Sequence, residues 1–170
     1  MKNIENKNLI IKLATLFYLS SFLGYFYELL LCYLYTGKVF SHGFLRGPWL
    51  PIYGIGSLLL TLLNKFKDNF VKVFLIAFIL TGTFEGISAF LLLKIFKMRL
   101  WDYTGYFLNI DGFVCFLSAF CFGLGGLFIV YILYPLINKL FKKINPKTLE
   151  SFLSILSLIF ISDLIATILK

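Results

Sequence analysis

Charge is scarce in this chain. Only 14% of its 170 residues are Asp, Glu, Lys or Arg, against about a quarter in a soluble domain. Acidic residues are scarcer still, 8 against 16 basic ones. There is one histidine, His42, so a zinc cluster is not expected. The three cysteines, Cys32, Cys115 and Cys121, all lie in apolar runs and give no disulfide framework. No G-x-x-x-x-G-K-[ST] loop, G-x-S-x-G elbow or H-E-x-x-H pair occurs in these residues. The expectation is therefore no cofactor, no metal and no self-contained ATPase or hydrolase.

What the chain has instead is apolar bulk. Sixty per cent of it is hydrophobic, 19% is aromatic, and 21 residues are phenylalanine. Mean hydropathy is +0.92. Such a surface calls for a bilayer as solvent. The net charge of +8 does not signal nucleic-acid binding, because the lysines lie mainly at the ends of apolar runs. Anchoring at anionic lipid and the setting of topology account for them. The first apolar run is about 25 residues, longer than the core of a cleavable signal, and reads as a retained span.

Five stretches approach the ~20 residues that cross a bilayer as a helix. They are Leu9–Tyr35, Trp49–Leu63, Val71–Phe96, Gly112–Ile137 and Leu149–Leu169. An all-α, polytopic membrane bundle is the expected fold, one transmembrane domain over residues 1–170. The second stretch is short and begins among prolines, so it either crosses fully or re-enters. With five crossings, one side carries Lys2, Lys7, Lys12, Lys65, Lys67, Lys72, Lys139, Lys142, Lys143 and Lys147. The other carries Lys38, Arg46, Lys94, Lys97, Arg99 and Lys170. This bias places the N-terminus in the cytoplasm and both intervening polar loops outside.

Two carboxylates, Glu28 and Glu85, sit within the first and third stretches. A charge at that depth costs a few kcal/mol or more, so it is paired, protonated or turned to water. Ser20, Gly24 and Glu28 share one helical stripe, as do Thr81, Glu85 and Ala89. Small residues allow close helix approach, which turns both glutamates into the bundle. A third carboxylate, Asp163, lies in the last stretch among Ser151, Ser154, Ser157 and Ser162. It is expected near the outer end, at the interface.

Each glutamate is followed by a polar aromatic loop. The first, SHGFLRGPWLPIYG, holds His42, Arg46, Trp49 and Tyr53. Arg46 is suited to clamp a carboxylate, with Glu28 and Asp102 as the expected partners. The second, MRLWDYTGYFLNIDG, holds Arg99, Trp101, Asp102, Tyr103 and Asn109. Asp102 can cap a turn or pair with Arg46 or Arg99. Glu28, Arg46, Glu85, Trp101, Asp102 and Asn109 are expected to gather around one outer-leaflet pocket. Glu28 and Glu85 are 57 positions apart, and Ile52-Tyr53-Gly54 and Ile110-Asp111-Gly112 are 58 apart. That spacing suggests a parallel two-helix repeat in which I-x-G opens the second helix of each unit.

GFLRGPWLPIYGIG (43–56) resembles the RGFLyGPxxPIYGfG motif of the putative ABC-transporter type IV family. LWDYTGYFLNIDGFVCF (100–116) is similar to that family's WDYSxxPxNxxGRxxL motif. The resemblance runs from Gly24 to Pro135. Phe113 stands where the family usually shows arginine, and Arg46 where a tyrosine or histidine is common. The resemblance implies a small bacterial multi-pass membrane protein. It also implies a permease role, for which a separate ATPase or other membrane subunit would be the partner. Two other classes fit the residues: a membrane assembly or regulatory protein, and an intramembrane enzyme using Glu28, Glu85 or Asp102 as acid–base groups.

Overall fold

The computed structural model describes residues 2–39 and 43–169. The described residues are helical apart from the loops and one isolated bridge between Ile110 and Val114. Helix α1 covers Lys2–Thr36 and α2 covers Pro51–Leu60, which continues as a 3-10 segment, Thr61–Phe66. Helix α3 covers Phe70–Phe96. Helices α4 (Phe116–Phe128) and α5 (Tyr134–Phe141) are joined through a π-helical turn, Ile129–Leu133, and α6 covers Pro146–Ile168.

Among the described residues, four helices are long and apolar enough to cross a membrane: Asn6–Leu34, Phe70–Phe96, the rod Phe116–Phe141, and Pro146–Ile168. The expected span Trp49–Leu63 is the exception. Pro48 and Pro51 delay helix formation, and the α-helix that follows is only 10 residues long. Many large apolar side chains face outward, among them Leu34 at 67%, Ile79 at 65% and Leu158 at 67% exposed. A water-soluble monomer rarely exposes so much contiguous apolar surface, whereas lipid covers it without cost.

The helix ends follow local rules. Asn69 caps α3 by accepting from the Lys72 amide at 2.9 Å. Lys97 closes that helix in the left-handed conformation. Cys115 caps α4 in a reciprocal box with Ser118. Asn145 caps α6, with Pro146 in its first turn. The π turn ends two residues before Pro135. That proline has no N–H to give to the carbonyl of Tyr131, and its ring crowds that carbonyl in α register. A widened turn relieves both problems.

The chain divides into two compact units, Met1–Ile55 with Tyr134–Lys170, and Gly56–Leu133. In the first unit α1 packs on α5 and α6. A Cβ on Gly54 would stand 2.3 Å from the Ser21 hydroxyl, so α2 begins hard against the middle of α1. In the second unit α3 packs along α4. A Cβ on Gly126 would stand 2.4 Å from the Ala77 methyl, the close approach that small residues allow in lipid.

Candidate functional site

Glu28 lies near the C-terminal end of α1 and is half-buried. Its Oε1 accepts a hydrogen bond from the Tyr53 hydroxyl at 2.5 Å. Tyr53 is delivered by the turn before α2. The Leu50 amide donates to the Ser21 carbonyl at 3.0 Å, which fastens the chain to α1 just before the helix starts. Gly24 leaves room for the ring, since a Cβ there would come within 2.3 Å of it. The first unit thus holds a carboxylate–phenol pair at the end of its longest helix.

Glu85 is a different environment. It is 3% exposed, on the stripe of α3 that also buries Thr81 and Ala89. Its two oxygens accept from different elements: Oε1 from the Tyr103 hydroxyl at 3.0 Å, and Oε2 from the Ser118 hydroxyl at 2.8 Å. Ser118 is the third residue of α4 and accepts the Cys115 amide at 3.1 Å. The capping box that starts α4 therefore also aims a hydroxyl at the glutamate.

Tyr103 belongs to a loop that is internally bonded throughout. Its amide donates to the Gly112 carbonyl at 2.9 Å, and Trp101 Nε1 donates to the Phe113 carbonyl at 2.9 Å. Arg99 pairs with Asp102 at 3.0 Å and donates to the Asp111 carbonyl at 2.7 Å. Asp102 accepts from the Thr104 amide and hydroxyl at 2.8 and 2.6 Å. Those Thr104 bonds, aided by Arg99, hold the Asp102 carboxyl below the usual carboxylate range. Asn109 accepts from the Gly112 amide and donates to the Tyr106 carbonyl. Gly112 has φ +69° and sits directly under the Arg99–Asp102 pair, where a Cβ would meet both side chains. Only glycine fits that position.

A third carboxylate organises the first loop. Asp163 of α6 accepts from the Arg46 amide at 3.3 Å, the Gly47 amide at 2.8 Å and Trp49 Nε1 at 2.8 Å. The Arg46 guanidinium donates to the Ala166 carbonyl at 3.3 Å, in the last turn of α6. One expectation is corrected here. Among the described residues the Arg46 side chain does not pair with Glu28: it caps the end of α6, where the unpaired carbonyls carry negative charge. Asp163, expected near the outer end of its stretch, is the acceptor around which the R-G-P-W segment folds. Asp102 takes Arg99, the partner three positions away.

The sequence repeat is corrected as well. Ile52-Tyr53-Gly54 does lie in the first turn of α2, but Ile110-Asp111-Gly112 lies in the loop ahead of α4. Of the expected site residues, Trp49 and Tyr53 meet carboxylates of the first unit, and Tyr103 meets Glu85 in the second. Trp101, Arg99, Asp102 and Asn109 build the loop that carries Tyr103. His42 lies outside the described residues. Ser118 and Asp163 were missed as contacts. The Cys115-x-x-Ser118 spacing is a cap signature and could have found the first. The rule that a carboxylate at membrane depth needs partners could have found the second.

These features define a helical integral membrane protein with hydrogen-bonded carboxylates inside candidate spans. The chain belongs to the putative ABC-transporter type IV family, whose model matches residues 15–168. No curated protein and no solved structure matches it.

Proposed function

We propose that this chain is the membrane-embedded permease component of a transport system whose ATP-hydrolysing subunit is a separate polypeptide. The observation that carries the reading is that each glutamate within a span is tied to a tyrosine of the segment that follows it, Glu28 to Tyr53 and Glu85 to Tyr103. Movement of either segment alters the hydrogen bonding of a carboxylate at membrane depth. That is the coupling a permease needs between its loops and its interior. The family description supports the transport class.

The orientation we propose has the N-terminus in the cytoplasm and five crossings. Direction within the first unit supports the odd number. Lys7 of α1 pairs with Glu150 at 2.8 Å, and further along Tyr18 donates to Ser157 at 2.8 Å. Helices α1 and α6 therefore run the same way. Successive crossings alternate, so the four long helices alone would set α6 against α1. A fifth crossing restores the match, and α2 with its 3-10 continuation is the segment left to supply it. Ten α residues at 1.5 Å and six 3-10 residues at 2.0 Å give ~27 Å. Starting beside Ser21, well inside the first span, this length suffices.

A second reading, an assembly or regulatory membrane protein, draws on the second loop, whose Arg99, Asp102 and Asn109 satisfy one another or nearby backbone. Purification of the tagged full chain in mild detergent separates the two. Copurification of an ATP-hydrolysing chain is expected. A stoichiometric membrane partner without ATPase activity would favour the second reading. Single cysteines replacing Lys38 and Lys67 in a cysteine-free background should label from opposite sides of the membrane. Labelling of both from one side would overturn the fifth crossing.

A further inference from the structure

The first unit contains a groove of about 650 Å³ between the N-terminal halves of α1 and α6. Its buried floor is apolar, Ile11 from α1 and Leu153 from α6, and the exposed side chains of Ile10 and Leu158 line its rim. Two serines on the α6 wall do not make it polar. Ser154 donates to the Glu150 carbonyl at 2.9 Å and Ser157 to the Leu153 carbonyl at 2.7 Å, so both turn their hydroxyls to their own helix. The cluster of Phe17, Tyr18 and Phe160 joins the helices on one side, with ring centroids 5.1 to 5.8 Å apart. At the other side Lys7 and Glu150 bridge the mouth. Along each helix it extends from residue 6 to 14 and from 150 to 158, eight rises or ~12 Å at 1.5 Å per residue.

The mouth lies at the basic end of this unit. Lys7 is matched by Glu150, but Lys12, Lys139, Lys142, Lys143 and Lys147 enter no ion pair among the described residues. Lys12 sits over the Phe141 ring at 5.2 Å, which brings the end of α5 and its lysines to the same end of α1. Lys147 is one turn before Glu150 on α6. An apolar groove at the basic end of this unit, between two candidate spans, matches a molecule with a hydrocarbon tail and a negative head.

We propose that this groove is a binding site for one anionic phospholipid, with an acyl chain against Ile10, Ile11, Leu153 and Leu158 and the headgroup phosphate among Lys142, Lys143 and Lys147. The site is independent of the glutamates and of any transported cargo. The ligand's tail is held by burial of apolar area and its head by charge, so the two halves can be broken separately.

The full chain, stripped of lipid in detergent, is titrated with phosphatidylglycerol or with phosphatidylcholine of the same acyl chains, and bound lipid is counted by native mass spectrometry. One phosphatidylglycerol is expected to bind in preference to phosphatidylcholine. Neutralising Lys143 and Lys147 to Gln should weaken the phosphatidylglycerol adduct about fivefold per charge and leave the phosphatidylcholine adduct unchanged. Ala14→Trp, which fills the groove, should abolish the preferred adduct while helical content by circular dichroism is kept. If Ala14→Trp does not fold, the lysine pair alone decides. Equal binding of both lipids to the unaltered chain would overturn the proposal. So would a preference that survives the lysine changes, or saturation of the site by glycerol phosphate without a tail.

Discussion

The two glutamates solve one problem in different ways. Glu28 is half-buried near the end of a helix and accepts from the phenol of Tyr53, on a segment strapped to α1. Glu85 is enclosed on the packed face of α3 and meets two hydroxyls on separate elements, Tyr103 from a loop and Ser118 from a helix start. The first arrangement can exchange a protein partner for water. The second cannot do so without opening the contact between α3 and α4. A carboxylate at membrane depth is thus tolerated either by placement toward the edge or by a dedicated cradle, and the cost of removing it should differ accordingly.

The largest expected effect tests that difference directly. Glu85→Ala leaves buried hydroxyls unmet and should lower stability by about 3 kcal/mol, the upper end for a lost buried partner. Glu28→Ala should cost about 1 kcal/mol, because water can reach the half-buried phenol. Thermal unfolding of both variants in one detergent measures the contrast. Equal losses would erase the distinction between edge and cradle.

The glycines sharpen the same comparison. At the Glu28 site, a Cβ on Gly24 would lie 2.3, 2.5 and 2.7 Å from Tyr53 ring and Cβ atoms. Gly24→Ala should therefore push Tyr53 off the carboxylate and cost about 1–3 kcal/mol, as overpacking does. At the Glu85 site, a Cβ on Gly86 meets Val114 at 3.5 Å, an ordinary contact. Gly86→Ala should be neutral, or slightly stabilising from the better helix former. A melting-point series reads both. Tolerance of Gly24→Ala would mean that the phenol is held from elsewhere.

Much of this was legible in the sequence, and the boundary is physical. The helical membrane class follows from apolar run lengths, which are local. So do the Arg99–Asp102 pair, three residues apart, and the inward stripe of Thr81, Glu85 and Ala89. The glutamate–loop association was visible as well, since Tyr53 and Tyr103 stand in the loops singled out. What was not legible depends on packing between distant segments. Arg46 meets α6 some 117 to 120 positions away, and nothing in its local sequence prefers Asp163 to Glu28. The brevity of α2 was half-visible: Pro48 and Pro51 marked its start, but the 3-10 continuation depends on contacts made after folding. Likewise, the offset of Ile110-Asp111-Gly112 from the start of α4 follows from Leu108, Asp111 and Gly112 all taking positive φ. Two of those three are not glycine, so composition does not announce the turn.

The smallest effect expected concerns the loop that carries Tyr103, and it asks whether the Glu85 cradle depends on it. Asp102 is exposed and outside the spans, and its carboxyl is held below the ordinary value of 3.8 by the Thr104 hydrogen bonds and by Arg99. A group whose folded pKa is depressed contributes stability above its unfolded pKa and loses it as pH falls through the folded one. Loop order should therefore be complete near neutral pH and fade only in acid, at and below the ordinary carboxylate range. Solvent exposure keeps the effect small. Trp101, fixed by its bond to the Phe113 carbonyl, reports on the loop by fluorescence, with Trp49 changed to Phe to remove the other signal. The expected result is a shift in Trp101 emission in acid that is flattened in Asp102→Asn. A coincident loss of global stability would show that the Glu85 cradle rests on this loop, as the Tyr103 bond suggests. An acid transition unchanged in Asp102→Asn would assign loop order to the backbone bonds around Gly112, and the cradle to Ser118.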